Sequence, residues 1–440
     1  MDTPERRPPR RFLHFSIRGL MLLVLLVGAP LGWIVRRAQV QRDAVAAIER
    51  AGGSVRYDRQ YIDGNAVNAP LRTPGWMADW VGVDYLDTVT LAVCRPATVD
   101  ADLVHVGGLS RLERLILDGT AVTDAGLEHL KGLRRLRHLL MIRTAVTSRG
   151  LVHLKEMTDL RVLNLGDTKV DGTGMEHLRG LTNLEALILY STKVDDAGLE
   201  RIKGLTGLTT LHLMDTAVTD AGLATLKGMK NLTTLGLSKT AVTDAGLVNL
   251  RGMDKLKDLS LAETAVAGPG LVHLQRLPAL WRLDLSSTPV TDACLAHLEG
   301  ASALGMLQLR NTEIGDAGLA HLDHLKTLKT LILADTKVMP AGLAAFEGLS
   351  RLAFLDVSGT KFDDASLALL DDGKLTGPRV LFLKDTPITD AGLAHLAGFS
   401  GMAVLDLVNT QVTDAGVDRL KQAIPKLQVR RQTSRRPVPR

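Results

Sequence analysis

Threonine stands at positions 120, 144, 168, 192, 216, 240, 264, 288, 312, 336 and 360, each 24 residues after the last, and then at 386 and 410. A period this strict decides the architecture. A 24-residue unit is too short to bury a core of its own, so the units must stack and share one. The typical unit reads L-x-x-L-x-L-x-x-T-x-V-T-D-A-G-L-x-x-L-x-x-L; Leu232, Leu235, Leu237, Thr240, Val242, Leu247 and Leu250 are one instance. Thirteen units follow it, and a degenerate one carries Pro96 in the Thr place.

Each part of the unit has a physical reading. L-x-L alternation puts both Leu on the inner face of a short strand and leaves the residues between them on a concave surface. The Thr hydroxyl can bond backbone groups where the chain leaves the strand. Asp124, Asp196, Asp220, Asp244, Asp292, Asp316, Asp364, Asp390 and Asp414 are expected as helix N-caps. The following Gly allows close packing, and two Leu one helical turn apart face inward. The prediction is a curved α/β solenoid with a parallel sheet on its concave face and short helices on its convex face.

This pattern resembles the leucine-rich-repeat family, whose signature is L-x-x-L-x-L-x-x-N. The resemblance covers residues 86–429 in about fourteen units, with Thr standing uniformly where the family has Asn. The T-D-A-G-L half looks like the subclass found in F-box leucine-rich-repeat proteins and bacterial relatives. The layout, a short anchor and then Gly52-Gly53-Ser54-Val55 before the repeats, is similar to membrane-anchored repeat proteins of planctomycete bacteria.

Aromatics are only 3% of the chain, as expected of one aliphatic layer repeated many times. The net charge of +5 sits at the ends: residues 1–42 carry eight Arg against two acids, and residues 430–440 carry five Arg and no acid. The body is therefore acidic, and a nucleic-acid-binding body is not expected. The end segments read as a basic N-terminus at 1–16 and a basic solvated tail at 430–440, for which an anionic partner is the sharper alternative.

Gly19 to Val35 is 17 residues without a charge, the short end of a spanning length. Arg18 can snorkel, Trp33 suits an interface, and Pro30 is a poor context for signal cleavage. We therefore expect one transmembrane signal anchor at 17–36. Arg6, Arg7, Arg10, Arg11 and Arg18 precede it and Arg36, Arg37 and Arg42 follow, so the positive-inside rule places the N-terminus in the cytoplasm. The expected location is a cell inner membrane, single-pass, with the repeats facing the periplasm or exterior. Residues 37–85 read as a juxtamembrane helix (Arg37 to Ala51, ended by Gly52-Gly53), a strand from Ser54 to Tyr61, a loop from Asn65 to Gly75, and an aromatic cap of Trp76, Trp80 and Tyr85 on the first repeat.

Motifs that suggest chemistry mostly dissolve into the repeat. His105, His129, His153, His177, His273, His297, His321 and His395 share one column. A metal or pH-sensing strip is the sharp reading; a consensus residue on an exposed helix is the plainer one, because no Cys or Asp joins at ligand spacing. The Asp column lacks the Gly-rich, multi-Asp turn of calcium-binding solenoids. There is no H-E-x-x-H, G-x-S-x-G or Walker A sequence, so neither catalysis nor a cofactor or metal is expected. Cys94 and Cys294 lie eight repeats apart and cannot pair.

Function is then sought on the concave face. The strand-exposed places at Thr209, Thr210, Thr233, Thr234 and Gly236 are small and polar. Beyond them come Trp281, Arg282 and Asp284; then Met306, Gln308 and Arg310; then Phe354 and Phe382. Tyr190, His212 and Met214 form a second group. Aromatics, Met and Arg are what interfaces enrich, although drift at unconstrained positions gives the same list. The expectation is a noncatalytic scaffold binding a protein partner. The alternatives are a substrate-recognition adaptor of an enzyme complex, as the F-box likeness implies, although an anchor occupies the place of an F-box, and a structural envelope protein. The sequence leaves the oligomeric state open.

Overall fold

The structure, a computed structural model, describes residues 17–58, 61–62, 65–66, 83–85, 87–370 and 377–431. Sixteen strands form one sheet in strict chain order. The first strand, Ser54–Tyr57, runs antiparallel to Val89–Val93, and every later pairing is parallel. From Arg114–Ile116 onward each strand has three residues; in all but the last the middle one is buried and the outer two, with few exceptions, are half-buried. Register is kept from repeat to repeat, as in Thr210, Thr234 and Asp258, which are successive partners. One continuous aliphatic core results, with nearly every inner Leu fully buried.

The Thr column works inside each repeat. Thr240 Oγ1 donates to the carbonyl of Leu237 at 2.6 Å, and the same bond recurs from Thr120 to Thr410. The residue before it takes a left-handed conformation in repeat after repeat, with φ of 57° at Lys239 and 56° at Glu263. Asp, Asn or Ser fills most of these places, because short polar side chains tolerate that region best.

The Asp column departs from expectation. The N-cap is the preceding residue, such as Thr219, whose side chain accepts from Ala221 N; Asp220 is the first helical residue. Its carboxylate instead reaches the next repeat, where Thr243 N donates to Oδ1 at 2.8 Å and Thr243 Oγ1 to Oδ2 at 2.6 Å. Asp100, Asp124, Asp196, Asp364 and Asp390 make the same two-point clasp. The Gly of the T-D-A-G run makes room for it: a Cβ on Gly246 would strike Oδ1 of Asp220. Two exceptions show the fit. Gly268 stands in an Asp place, and Cys294 stands in the Gly place of the following repeat, with its thiol donating to the carbonyl of Ala267 at 2.9 Å. Pro340 likewise precedes Ser366, which is fully buried and bonded to Asp363. At these two joints a larger side chain occupies the space, whereas Gly174 and Gly198, which follow Ser148 and Gly172 in the Asp place, remain glycine.

The end of a helix caps the first repeat among the described residues. The helix α1 spans Ile17–Arg50 without a break, so the expected juxtamembrane helix is the end of a longer one. Its last turns bury Ala38, Ala44, Ala47 and Ile48 on the first repeat. Gln41, also buried, donates to Asp84 and to the carbonyl of Asp87 and accepts from Val89 N. Val40 sits where a Cβ on Gly108 would be. Tyr85 is half-buried, whereas Trp76, Trp80 and most of the expected loop from Asn65 to Gly75 lie outside the described residues. The first strand stops at Tyr57.

Among the described residues no helix is long and apolar enough to cross a membrane. The expected span includes positions 17–20 and 23, whose side chains are not among those described, and the basic segment 1–16 is also outside them. The first half of α1 nevertheless stands clear of the solenoid, with Met21, Leu22, Leu25, Leu26 and Trp33 exposed.

At the far end Ile424 and Leu427 cover the last layer, while Val429 packs against it half-buried. Arg431 finishes the series of clasps by donating to Asp414 at 2.5 Å and to the carbonyl of Val412 at 2.7 Å. Positions 432–440 of the tail are outside the described residues.

Candidate functional site

Strand pairing turns sequence columns into surface rows. Residues on either side of each buried strand Leu face the concave side, with strands spaced by roughly 4.8 Å. The second group of candidate residues falls on neighbouring strands. Tyr190 lies across Gly166, and Met214 lies across Gly236 beside His212. Both glycines are needed here, since any side chain would displace the ring or the thioether. Burial pushes the His212 imidazole below its ordinary value, and Asp258 opposes the shift.

The main group divides in two. Trp281 is 45% exposed and lies over Gly305. Arg282 is the partner of Met306 across the strands, and Asp284 is the partner of Gln308. Arg282 donates to Asp258 at 3.3 Å and Arg310 to Asp335 at 3.1 Å. Asp284 is committed locally: it accepts the N–H of Ser286 at 3.0 Å, as Asp356 does from Ser358 at 2.9 Å. Phe354 and Phe382 meet edge to face with centroids 5.2 Å apart, and Arg430 lies 5.9 Å over the Phe382 ring. The strand Thr330–Ile332 separates Met306 from Phe354 and presents Ile332, half-buried, between them.

An apolar row on the first repeats escaped sequence reasoning. Ile116, Leu140, Ile142, Val162 and Ile188 are all half-buried on the concave side. They are aliphatic, so a search for aromatics, Met and Arg passes over them; alternation about the strand Leu would have found them. Arg114, Arg137 and Arg161 flank this row. Together with burial they press His138 below its ordinary value, burial being the larger cause.

The remaining chemistry-bearing residues lie away from the concave face or in the core. Both cysteines are free and buried, and burial pushes the Cys94 thiol up to about 11. The His column lies on the convex side, where Arg251 Nε donates to His273 Nδ1 at 3.0 Å and His321 lies 3.5 Å from Glu299. Among the described residues no group of three or more His, Cys, Asp or Glu is placed to hold a metal.

Known proteins resemble this chain chiefly in fold. A family model described as Leucine Rich repeat matches residues 205–227. No curated protein matches the sequence. An internalin (inlF) from Listeria monocytogenes is 21% identical, with a TM-score of 0.51 over 71% of this chain and 89% of its own. A leucine-rich-repeat protein from Leptospira interrogans is 17% identical, with a TM-score of 0.52 over 74% of this chain and 91% of its own. The functional domain of InlJ from Listeria monocytogenes, which includes a cysteine ladder, is 18% identical, with a TM-score of 0.51 over 77% of this chain and 71% of its own. At these identities the likeness concerns architecture. Together with the matched repeat and the unbroken ladder of strands, it shows a leucine-rich-repeat fold.

Proposed function

We propose that this chain is a noncatalytic scaffold, tethered to a membrane by its N-terminal segment, whose concave face binds a protein partner. The observation that carries the reading is the surface from Trp281 to Phe382. It joins an exposed indole, an edge-to-face Phe pair with a guanidinium stacked on it, and half-buried Met306 within five repeats. Large amphipathic side chains ringed by ion pairs are the composition of interface centres. Trp281, Phe354, Phe382 and Met306 are the anchors; Arg282 and Arg310 are the rim.

The tether rests on the apolar first half of α1. Its exposed side chains form a contiguous run, and a contiguous exposed run asks for an apolar environment where scattered exposed residues do not. The excess of Arg before it supports a cytoplasmic N-terminus in an inner membrane, with the repeats on the other side.

Two measurements test the halves separately. The full chain should stay in the membrane pellet after alkaline carbonate extraction, and release into the supernatant would remove the tether. A partner retained by the full chain should be lost, by at least tenfold in affinity, from the Trp281→Ala, Phe382→Ala double variant. Equal retention by both would remove the concave patch as the binding surface.

A further inference from the structure

At the root of the solenoid, where the last turns of α1 meet the first repeat, Arg37, Gln41, Thr88, Val89, Gly108, Leu109, Ser110 and Arg111 enclose a small cleft. Its polar groups are unequal. Gln41 is fully used in the cap, bonded to Asp84, Asp87 and Val89. The backbone amides of Gly108 and Ser110 bond to the carbonyls of His105 and Gly108. The groups left over are guanidinium donors and a hydroxyl. Arg37 is half-buried and spends one N–H on Thr88 Oγ1. Arg111 is exposed and makes no ion pair among the described residues.

We propose that this cleft binds the phosphate group of an anionic ligand, held between the guanidiniums of Arg37 and Arg111 with the Ser110 hydroxyl as a further donor. Three observations converge on it. Two like charges face one concavity, and among the described residues Asp58 alone offsets Arg37, so an anion relieves the repulsion; Arg37 is held below its ordinary value by burial and then by Arg111, the same imbalance seen from the guanidinium side. Planar guanidiniums present paired N–H groups that match phosphate oxygens, and two of them at one cleft give a phosphate more donors than a monovalent halide can use. The cleft also has a fixed place. The Arg37 guanidinium lies 5.8 Å over the ring of Trp33, one turn back along α1, at the end of its exposed apolar run.

That place selects between sources of phosphate, and here the inference rests on the membrane reading above. With the apolar run in a bilayer, Trp33 lies at the interface and the cleft lies at the depth of lipid phosphates. A phospholipid headgroup is then the ligand, and it pins the first repeat to the bilayer surface. A free phosphate ion has the same chemistry and is the alternative source.

The test uses the full chain in nonionic detergent, so that it reads the cleft whether or not α1 spans a bilayer. The thermal midpoint is titrated with phosphatidylglycerol, with uncharged diacylglycerol and with inorganic phosphate, for the natural chain and for Arg111→Ala. Because Arg111 is exposed and makes no ion pair among the described residues, its removal takes away only its repulsion of Arg37, so the ligand-free midpoint should not fall. The expected result is a saturable rise with phosphatidylglycerol, none with diacylglycerol, and at least tenfold weaker apparent binding in the variant. A variant-sensitive rise with inorganic phosphate but none beyond it with the lipid keeps the cleft and overturns the lipid as its ligand. No rise with either anion, or equal rises in both proteins, overturns the site. Carbonate extraction reports on the tether alone, so failure of the cleft and failure of the tether are told apart.

Discussion

The short T-D-A-G run joins two repeats through three side-chain choices. Thr caps its own helix, Asp reaches forward to the next Thr, and Gly leaves the space through which an incoming carboxylate passes. This makes a specific claim about compensation. Gly222→Cys alone drives a side chain into the Asp196 carboxylate and should cost about 1–3 kcal/mol, the usual range for overpacking. Adding Asp196→Gly recreates the arrangement native at Gly268 and Cys294, so the double variant should be more stable than the sum of the single effects allows. Chemical-denaturation midpoints of the four proteins measure the coupling, and strict additivity would refute the interlocking account. Sequence showed the columns but misread the Asp. An N-cap and a clasp to a residue 23 positions on leave the same trace in a periodic chain, because every column repeats whether its bonds lie within a unit or between units. The Cys294 and Ser366 exceptions were the available signal, since each follows a unit that lacks Asp.

Elements differ in how they respond to acid. Hydrogen bonds from Thr173 and Ser148 hold Asp171 below the ordinary carboxylate value of 3.8, and those from Thr413 hold Asp390 there. A folded-state value below the unfolded one means that the stabilisation is complete above 3.8 and is lost as pH falls through the lowered value. His138 and His212 lie on the sheet and are depressed mainly by burial from 6.5. The folded protein resists their protonation, so their contribution is complete above 6.5 and declines as pH falls below it. The thermal midpoint should therefore drop in two stages. His212→Gln should flatten the stage that begins near 6.5, and Thr413→Val the stage below 3.8; a profile unchanged by either substitution would contradict the assignment. Of the elements themselves, strands and convex helices were legible because their period is short and repeated. The cap was not. Ala38, Ala44 and Ile48 carry an ordinary helical pattern, and nothing in it tells that the helix continues without a break into the apolar run before it.

At the scale of the whole molecule, the concave face is built from one strand per unit, and its candidate residues cluster because register never slips. The sequence placed Trp281, Met306, Phe354 and Phe382 in order along that face, but it gave no distances, so the edge-to-face ring pair and the stacked Arg430 became visible only with the fold. Where clasping Asp residues follow one another, as at Asp196 and Asp220, successive joints are the same joint. Deleting residues 217–240 joins Thr216 to Ala241 and brings Thr243 to the place Thr219 held against Asp196. The product should fold with one strand fewer and a single cooperative transition by circular dichroism, whereas deleting 217–236 should abolish that transition. The two ends have no such freedom, since α1 opens the ladder and Arg431 closes it. A gene of this kind can lengthen or shorten by misaligned crossing-over between segments that share the clasp, and such a product keeps a matched joint. The breadth of the binding surface is thus open to change in single recombination events, without passing through a broken intermediate.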